Sequence, residues 1–194
     1  MSSKALQRWR TVAADELDEI ESAHAAVGGS GRGHRAATQQ INHAYVVLLA
    51  SQFQRFCRDL NTEAVHRISQ AIRNPEVRRL FDLQLTARRQ LDTRNAQPGS
   101  IGADFGRLGL FIWRSASMID RRTAGRRTAL EQLNSWRNAI VHQDFDPAKL
   151  APSRVDLAQV REWRRKRNGL AETLDRAVEY HVQAAANEAD GEEP

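Results

Sequence analysis

Arg137, Asn138 and His142 combine three chemistries within six residues of the stretch LNSWRNAIVHQDF, Leu133 to Phe145. The arginine is a permanent cation whose planar fork matches phosphate oxygens. The histidine exchanges a proton near neutral pH. The asparagine can donate and accept hydrogen bonds at once. A proton carrier beside a fixed cation can remove a proton from a hydroxyl and stabilise the negative charge that follows.

Leu133, Trp136, Ile140 and Val141 recur at helical spacing, so the three polar residues ride on an amphipathic helix beginning after about Thr123. Asp144, Asp146 and Pro147 should stop that helix directly after the histidine. His142 would then face the negative end of the helix dipole, which favours a protonated imidazole. Residues five apart on a straight helix point about 140° away from each other, so Arg137 and His142 do not converge. Asn138 and His142, four apart, share a face. Either a distorted last turn or a second copy of the helix is needed to complete a site. A structural alternative stands beside this: His142 could hydrogen-bond Asp144 or Asp146 and do nothing more.

Spacing alone carries little. With 6 histidines in an arginine-rich chain, roughly one Arg-x4-His pair is expected by chance. A second pair does occur, Arg176 and His181, on a long charged helix. Context selects the first pair: an asparagine directly after the arginine, apolar Ala139, Ile140 and Val141, and a helix stop.

The R-N-x-x-x-H run at the end of an apolar helix, preceded by IGADFGRLGLFIW, resembles the signature of the HEPN superfamily. These are small all-helical domains, many of them metal-independent RNases of prokaryotic toxin, antiviral and RNA-processing systems. The resemblance implies an all-α, up-and-down bundle of about five to six helices, working as a homodimer with a composite cleft. It also implies endoribonuclease activity that leaves 2′,3′-cyclic phosphate ends, with Arg137, Asn138 and His142 as catalytic residues, RNA as substrate and no cofactor. A cognate antitoxin or defence-system protein would be a further partner. One departure stands out: toxins paired with nucleotidyltransferase antitoxins often carry tyrosine two residues after the histidine, and this chain has Asp144 there. That argues against control by adenylation. The alternative is a non-catalytic helical module that binds RNA or a protein through the same dimer.

The elements that must hold the site follow from the rest of the chain. At 194 residues, with 41% hydrophobic content and no sustained alternation, one helical domain over residues 1–186 is expected. An acidic, disordered tail is expected over 187–194. A first helix over 2–27 carries Leu6, Trp9, Val12, Ala13, Leu17 and Ile20 on one face and an acidic far end. A long central helix spans about 35–73, with a break possible near Asn61. Pro75 opens a third that ends near Arg94, and NAQPGS, Asn95 to Ser100, reads as a loop. Ile101 to Arg122 holds Gly102, Gly106 and Gly109, a spacing that would let another backbone approach. Ser153 would cap the last helix, running to about Ala186.

The net charge of +5 suits a polyanionic partner without demanding one. Lysine appears only as Lys4, Lys149 and Lys166, a skew toward arginine that fits phosphate recognition or a GC-rich genome. Arg121, Arg122, Arg126 and Arg127 could guide RNA backbone, or form a solvated loop. Arg161, Arg164, Arg165, Lys166 and Arg167 form a second basic strip; Trp163 within it could stack on a base or pack in the core. GGSGRG, Gly28 to Gly33, lacks the lysine and Ser/Thr of a phosphate loop and reads as a turn. His24, His34, His43 and His66 have no metal-binding spacing. Lone Cys57 excludes an internal disulfide, and with no apolar run near ~18 residues the expected compartment is the cytoplasm.

Overall fold

The densest apolar run of the sequence becomes the axis of the fold. In the computed structural model, which describes residues 2–28, 36–148, 150, 152 and 154–191, α3 (Ala36–Ser69) buries Tyr45, Val46, Leu49, Phe53, Phe56, Cys57, Leu60, Ala64 and Val65. Packed against it are α1 (Lys4–Arg8) and α2 (Ala14–Gly28), joined by a π-helical turn (Trp9–Ala13), together with α8 (Thr123–His142) and α9 (Leu157–Gly191). Among the described residues the chain is all-α.

Side-chain pairings fix the directions. Glu63 receives the Ala5 N–H, while Tyr45 donates to Glu21, so α1–α2 runs antiparallel to α3. Arg164 reaches Tyr45 and Arg67 reaches Glu179, so α9 runs parallel to α3. Arg126 reaches the Gly169 carbonyl and Trp163 reaches Gln132, so α8 is antiparallel to α9. The four long rods therefore alternate up and down.

Several local expectations need correcting. The π-helical turn carries more residues per turn than an α-helix, which leaves Val12 exposed while Trp9, Ala13 and Leu17 stay buried. No break occurs at Asn61, whose buried amide instead donates to the Asp104 carbonyl and accepts from Arg89. The helix expected to end near Arg94 splits into α4 (Pro75–Thr86) and α5 (Gln90–Thr93), with Arg88 at φ 58 between them. Asp104, fourteen residues downstream, caps α5 by accepting the N–H groups of Gln90 and Leu91 at 2.9 and 2.8 Å. Residues 98–100, read as loop, begin α6 (Pro98–Gly106). Gly109, at φ 75, then turns the chain into α7 (Ile112–Ile119). The glycine spacing serves the chain's own packing here: the Trp113 ring lies 3.3 Å from where a Gly102 side chain would begin.

Asn74 caps α4 as the sequence suggests, accepting from Glu76 and Val77 N–H groups. Asp156 bonds the Gln159 N–H at the start of α9; Ser153 lies outside the described residues, as do 29–33 of the glycine-rich stretch and the two residues after it. The last helix continues to Gly191, five residues past its expected end, and 192–194 lie outside the described residues.

The candidate active site at the end of the motif helix

Leu130, Leu133, Trp136 and Ala139 form the buried stripe that seats α8, and the Trp136 indole donates to the Pro152 carbonyl. The helix stays regular through His142. It is ended by Gln143, left-handed at φ 55, with the Asp144 N–H returning to the Ala139 carbonyl at 3.0 Å. That return bond, with a non-glycine αL residue, supplies the stop in place of the acids and proline alone. No distorted last turn swings Arg137 toward His142.

At the helix end the Asn138 side-chain oxygen is held twice: Asn95 donates to it at 2.6 Å and Arg137 at 3.3 Å. Both lone-pair directions are thus used, which leaves the Asn138 amide as a donor on the face shared with His142. Arg137 is half-buried and has no carboxylate partner among the described residues. His142 is exposed and has no hydrogen-bond partner among the described residues, so the alternative in which Asp144 or Asp146 holds it has no bond to rest on. Three residues on, Phe145 stacks on His43 at 5.7 Å, and Trp136 closes an aromatic cluster with both. Burial lowers the His43 pKa below its ordinary value.

The rival pair is differently placed. The His181 ring lies 2.9 Å from the Leu108 carbonyl and Arg176 reaches the Tyr180 hydroxyl at 3.4 Å, so His181 fastens the α6–α7 turn to α9.

The basic residues divide by use. Arg126 is anchored to the Gly169 carbonyl, Thr173 and Asp120, so it belongs to the α8–α9 contact. Arg122 forks onto Asp120 and holds that carboxyl well below the usual range; Arg127 lies over the Trp113 ring at 5.3 Å. Arg121 is exposed with no partner among the described residues. In the second strip, Arg161 and Arg164 bind Glu21 and Asp18, the acidic end of the first helix. Trp163 and Arg167 are core, which leaves Arg165 and Lys166 facing outward.

Asn95, His43 and Phe145 are the neighbours that sequence reasoning missed. Asn95 sits in what reads as a plain loop, and only contact across 43 residues reveals it. Of the other histidines, His66 lies near Asp82 and Gln70, and His34 is outside the described residues. Among the described residues no cluster of His, Cys, Asp and Glu is arranged to hold a metal, and no helix is long and apolar enough to cross a membrane. No protein-family model, no curated protein and no solved structure matches this chain.

Proposed function

We propose that the chain is a HEPN-type, metal-independent endoribonuclease, acting as a homodimer in a toxin or antiviral defence setting. His142 takes the proton from a ribose 2′-OH, the 2′-oxygen attacks the adjacent phosphorus, and the 5′-oxygen leaves with a proton from solvent. The products are a 2′,3′-cyclic phosphate and a 5′-hydroxyl end. Arg137 holds the crowded, negative phosphorane through its fork, and Asn138, braced by Asn95, donates to a phosphoryl oxygen or to His142. Because Arg137 and His142 diverge on one regular helix, each cleft draws on both copies.

The observation that carries this reading is the contrast between the two Arg-x4-His pairs. At the end of α8 an arginine free of carboxylates among the described residues braces an asparagine beside an exposed histidine, whereas His181 is tied into the fold. The test is cleavage of single-stranded RNA in EDTA, scored for cyclic phosphate ends. His142→Ala and Arg137→Ala should each lower the rate by about 10²–10³, the usual cost of one preorganised group. Arg137→Lys should rescue little, since a point charge cannot fork. His181→Ala should leave cleavage within a few fold provided it folds, which circular dichroism checks first. Cleavage that survives His142→Ala removes the proposal.

A second reading, a protein-interaction module, is favoured by one feature. Val77, Leu80 and Leu83 on α4, with Phe111 and Met118 at α7, are large apolar side chains left between 50% and 80% exposed.

A further inference from the structure

The two basic stretches, forty residues apart in sequence, meet across one cleft. Arg122, Gly125 and Arg126 of α8 face Glu162, Arg165 and Lys166 of α9 around a cavity of about 510 Å³. Among the described residues four cations stand against two carboxylates there, Glu162 in the wall and Asp120 bonded to Arg122 and Arg126 at the edge. The cations differ in freedom. Arg126, with its side chain 11% exposed and tied to Gly169 and Thr173, is a fixed floor. Arg122, forked onto Asp120, and Arg165, paired with Glu162, are each 78% exposed, and Lys166 lies between at 37%. Gly125 leaves open space at the rim, so a ligand can approach the backbone there.

We propose that this cleft binds the phosphate groups of a single-stranded RNA, as an anchoring site separate from the one at His142. The choice of RNA among polyanions rests on the endoribonuclease reading above. Guanidinium forks on two walls suit the non-bridging oxygens of a phosphodiester, and Lys166 adds a point charge. Glu162, now paired with Arg165 and Lys166, competes with the incoming anion and must release them. Gly125 and His142 are seventeen residues apart on one helix, which is about 25 Å along its axis. The cleft therefore holds a phosphate several nucleotides from the bond being cut and takes no part in the chemistry.

The test is fluorescence anisotropy with an end-labelled single-stranded RNA, in the His142→Ala chain so that nothing is cut. Arg165→Ala with Lys166→Ala should weaken binding about tenfold at low salt. The salt slope should fall by ~0.7 for each phosphate that the variant no longer neutralises. Glu162→Gln should tighten binding, and opposite changes from neighbouring surface variants cannot both come from misfolding. Arg10→Ala with Arg67→Ala removes the same charge elsewhere and should change binding less than twofold. Equal weakening by that control pair, or no response to either change in the cleft, overturns the proposal. If binding responds as stated but the parent chain cuts no RNA, the cleft stands and the endoribonuclease reading falls. If His142→Ala stops cleavage while the cleft variants bind like the parent, the reverse holds.

Discussion

At the scale of single residues, Arg167 and His43 show how burial changes what a polar side chain does. Arg167 is fully buried over the Phe53 ring; it donates to the Arg126 carbonyl, while its Nε and Nη1 have no partner among the described residues. Burial pushes its pKa down to about 9, which still leaves it charged at neutral pH. A buried charge without a carboxylate costs more than its contacts return, so Arg167→Met should stabilise the fold. Replacing buried ion pairs with apolar groups gains up to about 4 kcal/mol, and a gain toward the lower part of that range should raise a thermal melt by a few degrees; a lower midpoint would contradict this. His43, half-buried against Phe145, has a pKa below its ordinary 6.5. Above that pH it is neutral in folded and unfolded chain alike. Below it the unfolded chain takes up the proton first, so its contribution to stability is lost as pH falls from 6.5 through the lower folded value. An NMR titration should place His43 below 6.5, and His43→Gln should flatten the acid side of the stability curve.

At the scale of elements, the segments between α3 and α8 are held by tertiary bonds more than by propensity. A four-residue helix such as α5 has no stability of its own. It exists because Asp104 caps it from α6 and Arg89 ties it to Asn61 and Thr62 of α3. Asp104→Ala removes both caps and leaves the Gln90 and Leu91 N–H groups without an acceptor. A loss of about 1–3 kcal/mol in urea denaturation is expected, the usual cost of orphaned buried donors. Gly109→Ala meets no atom within 4 Å, so its whole effect is conformational, from φ 75. It should cost about 1–2 kcal/mol, and a neutral result would mean the turn has another way to close.

At the scale of the whole molecule, the two candidate interfaces lie at opposite ends. The His43–Trp136 contact puts the end of α8 beside the start of α3, whereas Arg67–Glu179 and Arg107–Gln84 gather α4, the α6–α7 turn and the end of α9 at the far end of α3. His43 and Arg67 are twenty-four residues apart on that helix, about 36 Å. A dimer through Leu80 and Met118 would therefore carry two His142 side chains away from each other. The proposed composite cleft would need a dimer at the α8 end, where Val141 and Phe145 are 47% and 41% exposed. Light scattering at tens of micromolar should show a dimer that Val141→Glu turns into an inactive monomer and that Met118→Glu leaves intact. The opposite pattern would place the interface at the apolar end and favour the interaction module.

What the sequence determined by itself was whatever depends on periodicity and local stereochemistry. The buried stripe of α8, the apolar run of α3, the Asn74-Pro75 start of α4 and the stop after His142 are all visible in residue order, because each is set within a few turns of chain. The preference for Arg137 and His142 over Arg176 and His181 was likewise a matter of flanking residues. Only the tertiary structure decided what depends on distant segments meeting. It placed Asn95 on Asn138, Phe145 on His43, and Asp104 at the start of α5. It also spent Arg126, Arg161 and Arg164 on internal contacts while bringing Arg122 and Arg165 to one cleft. An arginine's charge is written in the sequence, but whether it faces a carboxylate, a carbonyl or water is fixed by which helices pack side by side.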